Sequence, residues 1–372
     1  MTRKYRILAI NPGSTSTKIA LFDNFKKLFD DSIAHTYEEL SVFASVQDQL
    51  EFRTEVVEQA MVERGFAMED VDAFSGRGGG LVSVASGVYT VTDLVCAHAS
   101  TEVGGMQHPA QLASQICKKY ADKYGKLAFI VNPPDTDEFC DIARITGIKG
   151  LYRESHLHAL NQKETALRFC DERGLKYKDV NLILCHIGGG TSITAHHKGK
   201  MIDSNDIIKG SGPMSPNRAG DLPYVSVIDM AYSGEYTKKE LLHKLNTNGG
   251  LMDYFGTQDI RDVLKLIRNG DEFAQTVLDG MVYQIAKYVG SMAAALRGQV
   301  DAIILTGGIS NNEEFTVRLI KYIDWISEIE VMPGEFEMEA LAAGAVRVLR
   351  GKLKAKEYTG IPVWTGFANE NK

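Results

Sequence analysis

The sequence predicts an α/β protein made of two similar domains, each a mixed sheet flanked by helices. Three observations carry this expectation. The stretch NPGSTSTKIA at 11–20 has an echo: at an offset of 175 it lies without a gap over HIGGGTSITA at 186–195. Each copy follows an apolar strand, at 6–10 and 181–185, breaks at glycine, offers hydroxyl groups and returns to strand-like residues. That is the mark of one supersecondary unit used twice. Between and beyond the two copies, short apolar runs alternate with helical periods, which gives mixed sheets covered by helices.

The other elements follow in order. Residues 48–64 and 107–123 carry the helical period, and Leu127–Val131 is a short apolar strand stopped by Asn132-Pro133-Pro134. Residues 158–170 read as an amphipathic helix, and 271–296 as a long one, rich in alanine towards its end. In VDAIILTGGISNNEEF, a strand at 302–305 meets a glycine turn and a helix starting near Asn311. A strand at 329–332, the pair Pro333-Gly334 and a helix at about 337–350 complete the pattern.

Bulk properties narrow the function classes. The chain has 372 residues, enough for two or three domains, and its 44% hydrophobic and 24% charged content is ordinary for a globular protein. A net charge of −7 argues against general nucleic-acid binding, which shows a basic stripe. No apolar stretch reaches the ~18 residues needed to span a bilayer. Met1-Thr2-Arg3-Lys4-Tyr5-Arg6 leads directly into a strand-like run. Five cysteines are scattered without metal-ligand spacing. The expectation is a cytoplasmic protein with reduced thiols, no membrane contact and small-molecule substrates.

Three turns look like anion seats, because bare backbone N–H groups at glycine can approach phosphate oxygens closely. In the first, strand alternation sends Ser14, Ser16 and Lys18 to one face, the one expected to meet the ligand, and Thr15 and Thr17 to the other. The second is Gly188-Gly189-Gly190-Thr191-Ser192. The third, Thr306-Gly307-Gly308-Ile309-Ser310-Asn311, is expected to put donors at a helix N-terminus. None is a Walker loop, since GxxxxGK[ST] is absent.

The order of these turns resembles the acetate and sugar kinase, Hsp70 and actin superfamily. INPGSTSTK, HPAQLA, HALNQK, CHIGGGTSITAHHKGK, NRAGDLP, Thr247-Asn248-Gly249-Gly250 and LTGGISNNEEF narrow the resemblance to short-chain carboxylate kinases, and among them the butyrate kinases. The likeness runs from about Tyr5 to Leu349. It implies two ribonuclease H-like (actin-like ATPase) domains with a cleft between them. Residues 1–150 with 336–372 would form the carboxylate and phosphate side, and 151–335 the nucleotide side. It further implies ATP and Mg²⁺, a homodimer, and the reaction of butyrate with ATP to give butyryl phosphate and ADP.

A carboxylate nucleophile is already ionised at neutral pH, so the reaction needs no catalytic base. What it needs is cations, fixed donors and a metal along the line of displacement. By the resemblance, Arg77 in FSGRGGG binds the substrate carboxylate and Arg218 in SPNRAGDLP is the second active-site arginine. His158 donates to the transferring phosphoryl group, with His156 outside the site. His108 and His186 orient substrate and phosphate. Asn11 lies near the phosphates and metal. Gly188, Gly189, Gly190, Thr191, Gly307, Gly308, Ile309 and Asn311 grip the nucleotide, with Ser14, Ser16 and Lys18 on the phosphates.

Two positions depart from the acetate kinase pattern. Asn132 stands where a metal-positioning aspartate is found, and asparagine brings no charge to a hard cation. Asp137, Glu339 and the neighbouring Glu337 are the alternative acids. Arg77 is followed by Gly78-Gly79-Gly80, where acetate kinases carry two valines, one lining the methyl pocket. Either these glycines only shape a turn, or the space at Gly79 admits a longer acid such as butyrate or isobutyrate. Rival readings are an acetate or propionate kinase, a sugar or polyol kinase with an aspartate base such as Asp135, and a non-catalytic ATP-binding regulator.

Overall fold

In the computed structural model, residues 3–105 and 108–368 are described. The expected helix at 107–123 therefore has its first residue, Gln107, outside the described residues. The chain forms two compact units, 1–137 with 336–372 and 138–335.

The first unit opens with β1 (Arg6–Pro12), β2 (Ser16–Asp23) and β3 (Lys26–Ala34), followed by α1 (Tyr37–Ser41) and α2 (Leu50–Glu63). Then come β4 (Ala73–Gly76), β5 (Val88–Thr90), α3 (Asp93–Thr101), α4 (Leu112–Tyr124) and β6 (Leu127–Val131). The sheet order is β3-β2-β1-β4-β6-β5. The meander β1–β3 is antiparallel, while β1, β4 and β6 run parallel. Central strands covered on both faces read as continuous apolar runs, and Ile7, Leu8, Ala9 and Ile10 are all fully buried. Phe74, Ile116, Tyr120 and Ile130 join Leu8 and Ile10 in one core.

The second unit contains α5 (Asp141–Arg144), α6 (Ala159–Glu172), β7 (Asn181–Ile187), β8 (Thr191–His197) and β9 (Lys200–Ser204). Five helices follow: α7 (Tyr224–Tyr232), α8 (Lys238–Asn246), α9 (Leu251–Phe255), α10 (Ile260–Arg268) and α11 (Glu272–Ala295). β10 (Ala302–Thr306), α12 (Glu313–Ile323) and β11 (Ile329–Val331) close it. Its sheet, β11-β10-β7-β8-β9, repeats the plan of an antiparallel meander joined to parallel strands. The long α11 supplies Leu278, Met281, Val282 and Ile285 to a core shared with Ile183, Cys185 and Leu305.

Phe336 returns the chain to the first unit, where α13 (Glu337–Leu349) packs on β1, β4 and β6. The first crossing lies after Asp137, earlier than the expected position near 150. The segment 138–150 belongs to the second unit because Glu138 pairs with Lys163 at 2.6 Å, the Cys140 N–H donates to Ile202, and Phe139 packs beside Leu157 and Met201.

The echo holds in topology and slips by one residue in register. Asn11 faces Lys18 in the first hairpin, a separation of seven, whereas His186 faces Ser192 in the second, a separation of six. The first turn is therefore one residue longer, and the gapless alignment fails beyond it. A second correction concerns the corner after β10. Gly308–Asn311 is a 3₁₀ turn, and α12 starts only at Glu313 because the Asn312 side chain accepts from the Phe315 N–H at 3.0 Å. The corner thus precedes the helix N-terminus instead of forming it.

α13 approaches the sheet as closely as a glycine allows. A Cβ at Gly344 would lie 2.7 Å from one methyl of Val131 and 2.9 Å from the other. Gly344→Ala should gain roughly 1 kcal/mol in helix propensity and lose about 1–3 kcal/mol to overpacking. The expected outcome is a net loss in urea-unfolding stability. A variant as stable as the parent would show that α13 can ride outwards without cost.

Candidate active site

In the first unit, α13 brings the carboxylate of Glu337 to the end of β1. The Asn11 side-chain amide donates to one Glu337 oxygen at 2.7 Å, and the Arg77 guanidinium lies 3.7 Å from the other. Asn11 is buried, and its own side-chain oxygen has no hydrogen-bond partner. Buried acceptors are nearly always satisfied, so this oxygen marks a place for a ligand atom. Glu339, two residues along α13, points about 200° away around the helix and pairs with Lys27 on β3 at 2.7 Å. Of the two candidate acids, Glu337 is thus the one beside Asn11 and Arg77.

His108 precedes the 3₁₀ turn Pro109–Gln111 and accepts the Ala110 N–H on Nδ1 at 3.1 Å, so its proton sits on Nε2. Burial, then the Arg77 charge, push its pKa down to about 4 against the opposing pull of Glu337. His108 is a neutral donor among cations. Behind the β1–β2 hairpin lies Arg53, which sequence reasoning missed. It is fully buried on α2, donates to the Ser16 carbonyl at 2.9 Å and to the Thr17 hydroxyl at 3.1 Å, and burial lowers its pKa to about 10. Its other amino group, Nη2, has no hydrogen-bond partner. Gln49, one helical turn earlier, accepts from it at 3.0 Å, and that spacing was the available signal. Along the hairpin Thr17 is buried while Ser16 and Lys18 are half-buried and Ser14 and Thr15 exposed, in keeping with strand alternation from Ser16 onwards.

Asn132 has a structural task of its own. It adopts a left-handed backbone (φ 38°), and its side-chain oxygen accepts the Gly87 N–H at 2.7 Å. Asparagine tolerates that conformation and bridges the turn, which accounts for the residue without a metal. Asp137 is buried, its N–H donating to Val84. Among the described residues no three His, Cys, Asp or Glu side chains cluster as a metal cage. The glycines after Arg77 all have positive φ, at 74°, 141° and 73°. A side chain at Gly79 would meet only ordinary contacts, yet its backbone conformation strains any L-residue. Turn shape alone therefore explains these glycines, and Gly79→Val is a test of strain before it is a test of volume.

In the second unit, Ser192 on β8 anchors His158 at the start of α6. The two side chains meet at 2.8 Å, and the His158 ring stacks on His186 with centroids 3.8 Å apart. The order of protons can be worked out from the far end. His196 is buried, and burial followed by the Lys163 charge hold its pKa well below the usual value, so it carries one proton. The Tyr177 hydroxyl meets its Nδ1 at 2.6 Å, and burial drives the phenol pKa well upwards, so the tyrosine donates. His196 Nε2 then donates to the Gln162 oxygen at 3.1 Å, and the Gln162 amide donates to the Ser192 hydroxyl at 2.8 Å. The Ser192 proton is left to point at His158 Nδ1, which places the His158 proton on Nε2. Sequence reasoning missed Tyr177, Gln162 and His196. Gln162 lies one helical turn after His158, which was the only hint.

His186 likewise accepts on Nδ1, from the Asn161 amide at 2.8 Å, and its Nε2 lies 4.0 Å from Glu335. The loop Gly188-Gly189-Gly190 is tied to the Arg218 loop by the Ser215 hydroxyl, which donates to the Gly189 carbonyl at 2.5 Å. A Cβ at Gly190 would stand 3.4 Å from the Arg218 Nε, which places the glycine loop in van der Waals reach of that guanidinium. The half-buried Arg218 guanidinium makes no hydrogen bond or ion pair among the described residues, and burial lowers its pKa. Its Nε, the Thr191 hydroxyl and the Asn217 side-chain oxygen are all buried without partners. At the later corner, the Asn311 amide folds back onto the Gly308 carbonyl at 3.0 Å, and Gly307 hydrogen-bonds Gly334 in both directions. The structure thus gathers Asn11, Arg77 and His108 with Glu337 in one unit, and His158, His186, Gly188, Gly189, Gly190, Thr191 and Arg218 in the other.

Two units, each opening its sheet with a glycine hairpin beside stranded polar atoms, define a phosphoryl-handling architecture. Residues 152–340 match the acetokinase family. The chain is 42% identical over 354 residues to a probable butyrate kinase of Clostridium botulinum (strain Eklund 17B / Type B), covering 95% of this chain and 99% of that one. It is 41% identical over 355 residues to butyrate kinase 2 of Clostridium acetobutylicum, with the same coverage. Its fold is similar to that of the acetate kinase of Porphyromonas gingivalis, with a TM-score of 0.73 at 19% identity over 93% of this chain and 100% of that one. Both sheets are therefore of the ribonuclease H-like type expected from the sequence. The chain belongs to the acetokinase family.

Two measurements check this geometry. Nitrogen shifts of the imidazoles should show His158 protonated on Nε2, and Ser192→Ala should let the other tautomer appear. An unchanged spectrum would break the proton order derived above. His108 and His196 both bind fewer protons folded than unfolded. Their contribution to stability is complete above the ordinary histidine value of about 6.5 and is lost as pH falls, for His108 down to about 4. The melting temperature should drop between pH 7 and pH 5, with each group contributing up to about 1.4 kcal/mol per pH unit. A flat profile would place both histidines in a more polar setting.

Proposed function

We propose that this protein is a carboxylate kinase that transfers the γ-phosphoryl group of ATP to butyrate, or a branched acid such as isobutyrate, giving ADP and the acyl phosphate. Membership of the acetokinase family and the names of the relatives support this reading. The observation that carries it is the half-buried Arg218 guanidinium, which makes no ion pair among the described residues and whose Nε, like the Thr191 hydroxyl and the Asn217 side-chain oxygen, is buried without a hydrogen-bond partner. A buried cation of this kind is stable only with a charged partner, and a transferring phosphoryl group or carboxylate supplies one.

Each group has a task. Arg77 in the first unit and Arg218 in the second each offer a guanidinium suited to a carboxylate or a phosphoryl group. His158, held as an Nε2–H donor, contributes a hydrogen bond that strengthens as charge builds on the phosphoryl oxygens. His108, neutral at working pH, adds a second such donor without adding a cation. The glycine loops at 188–190 and 307–308 receive the nucleotide phosphates. The buried donor set fits Mg²⁺, which needs only one or two carboxylates, keeps waters and prefers oxygen. Glu337 and the orphaned oxygen of Asn11 would hold it, and the ion would neutralise phosphate charge. Asp135, the candidate base of a sugar kinase, accepts the Leu81 N–H at 3.2 Å, a loop-holding role. No helix among the described residues is long and apolar enough to cross a membrane. We place the enzyme in the cytoplasm as a homodimer.

Hydroxylamine trapping with butyrate, acetate and glycerol tests the reaction: ATP-dependent hydroxamate should form with the acids only. Arg77→Ala and Arg218→Ala should each lower kcat/KM by on the order of 10²–10³, and near-parental turnover would remove that arginine from the mechanism. Glu337→Gln should raise the Mg²⁺ concentration needed for half-maximal rate, whereas Glu339→Gln should leave it in place. The reverse outcome would move the metal to the Lys27 side of α13.

A further inference from the structure

Residues 77–87 join β4 to β5 and, apart from an isolated bridge at Val84, form neither helix nor strand. Gly78, Gly79, Gly80, Leu81 and Val84 are nevertheless buried. A buried stretch of this kind must find its hydrogen-bond partners elsewhere in the chain. Two segments supply partners along its length. In the turn after β6, Asp135 accepts the Leu81 N–H at 3.2 Å on its side chain and the Val84 N–H at 2.9 Å on its carbonyl. The other is the segment that follows α13. There the Tyr358 hydroxyl accepts the Val82 N–H at 3.2 Å, the Val363 N–H donates to the Ser83 carbonyl at 3.0 Å, and Lys356 Nζ donates to the Ser86 carbonyl at 2.6 Å. Lys356 also pairs with β5 through its backbone, donating to Val88 and accepting from Thr90. Tyr358 is 3% exposed, with its ring in the core beside Leu81, Val84, Val95 and Ala99. Its hydroxyl also meets His98 Nδ1 on α3 at 2.8 Å. Leu353, Ile361 and Val363 stay exposed, so polar contacts to the loop hold this segment more than burial of its hydrocarbon does.

We infer that the segment 356–363 clamps the Arg77 loop, with Tyr358 as its positioning residue, and thereby sets the affinity of the site for the acid. The inference rests on the carboxylate-kinase reading, and adds what holds the loop of that arginine in place. Arg77 is fixed at the β4 end, where its N–H donates to the Ile10 carbonyl at 3.2 Å. The next three residues are glycines, and Gly80 has a long contact, its carbonyl accepting the Gly104 N–H at 3.4 Å. Glycine resists torsion less than any other residue. The course of 78–80 is therefore decided by where the chain is next pinned, at Leu81, Val82 and Ser83. Asp135 pins the first of these, and the segment after α13 pins the other two. Freeing them lets the glycine turn shift while β4, α13 and Glu337 keep their places. A shift of about 1 Å in a substrate-positioning group can cost on the order of 10² in rate.

Two full-length variants test the clamp. Tyr358→Phe keeps the ring in the core and removes the hydroxyl. Val363→Pro, at an exposed position, removes the N–H that holds Ser83 without emptying the core. In ADP-release assays each should raise KM for butyrate about threefold to tenfold, the worth of one hydrogen bond, while KM for ATP stays at the parental value. Hydrogen exchange of the peptide spanning 78–86 should quicken in both. A segment that merely stabilises the first unit would lower the melting temperature and the amount of active enzyme, hence kcat, and leave both KM values unchanged. That outcome overturns the clamp, as does an equal rise in both KM values or unchanged exchange at 78–86. Failure of the parental enzyme to release ADP with any acid sinks the carboxylate-kinase reading instead, and the exchange measurement still decides whether the segment holds the loop.

Discussion

One carboxylate ties the first unit's site together. Glu337 reaches Asn11 at the end of the first strand and Arg77 after the fourth, from a helix that begins more than three hundred residues later. Without it the Arg77 guanidinium would stand beside the buried Asn11 amide with no anion to offset its charge. With it, a cation, an acid and a neutral amide are held within one small volume, and the Asn11 oxygen is turned to where only an added atom can satisfy it. The chain accepts the entropy of a distant crossing to bring this acid home, since no local residue of the hairpin could supply it.

The histidines show a second constraint. A neutral imidazole whose one nitrogen accepts a hydrogen bond has a fixed tautomer and a single donor, which a doubly protonated ring lacks. His108 accepts a backbone N–H and lies near Arg77. His196 is buried near Lys163. Burial, with each neighbouring cation adding to it, makes the neutral form the stable one. The same neutrality gives the run from Tyr177 to His158 a single direction, with every hydroxyl and amide acting as donor on one side and acceptor on the other. Polar burial of this sort is costly when incomplete and rigid when satisfied.

Much of the fold could be read in advance because glycine and apolar runs punctuate it. Leu127–Val131 is the observed strand residue for residue, and the last helix begins at Glu337 as its pattern suggests. Both hairpins were legible from their shared vocabulary, whereas the one-residue slip in register depends on turn geometry that composition does not encode. α7 escaped notice because it buries no face, so no 3.6-residue period is selected. In the site, the arginines and histidines stood out by residue type. The choice between Glu337 and Glu339 did not, since two residues on a helix point to nearly opposite sides. The left-handed backbone of Asn132, which bridges its turn to Gly87, is invisible until the loop is seen. Arg53, Gln162 and Tyr177 were missed because buried polar residues of a supporting network carry no motif.

The second unit, 138–335, interrupts the first in the order of the sequence, and this has a consequence for biosynthesis. As the chain leaves the ribosome, the interior unit is complete before α13 exists, and the first sheet must wait with one face uncovered. That face, lined by Val88 and Val131 where Gly344 will seat, is an apolar surface exposed for the time needed to synthesise nearly two hundred residues. The first unit is thus the stage most open to chaperones and to aggregation. A chain terminated before α13 keeps the β7–β8 hairpin and loses both the cover of the first sheet and Glu337, so translation itself withholds this acid until the last helix arrives.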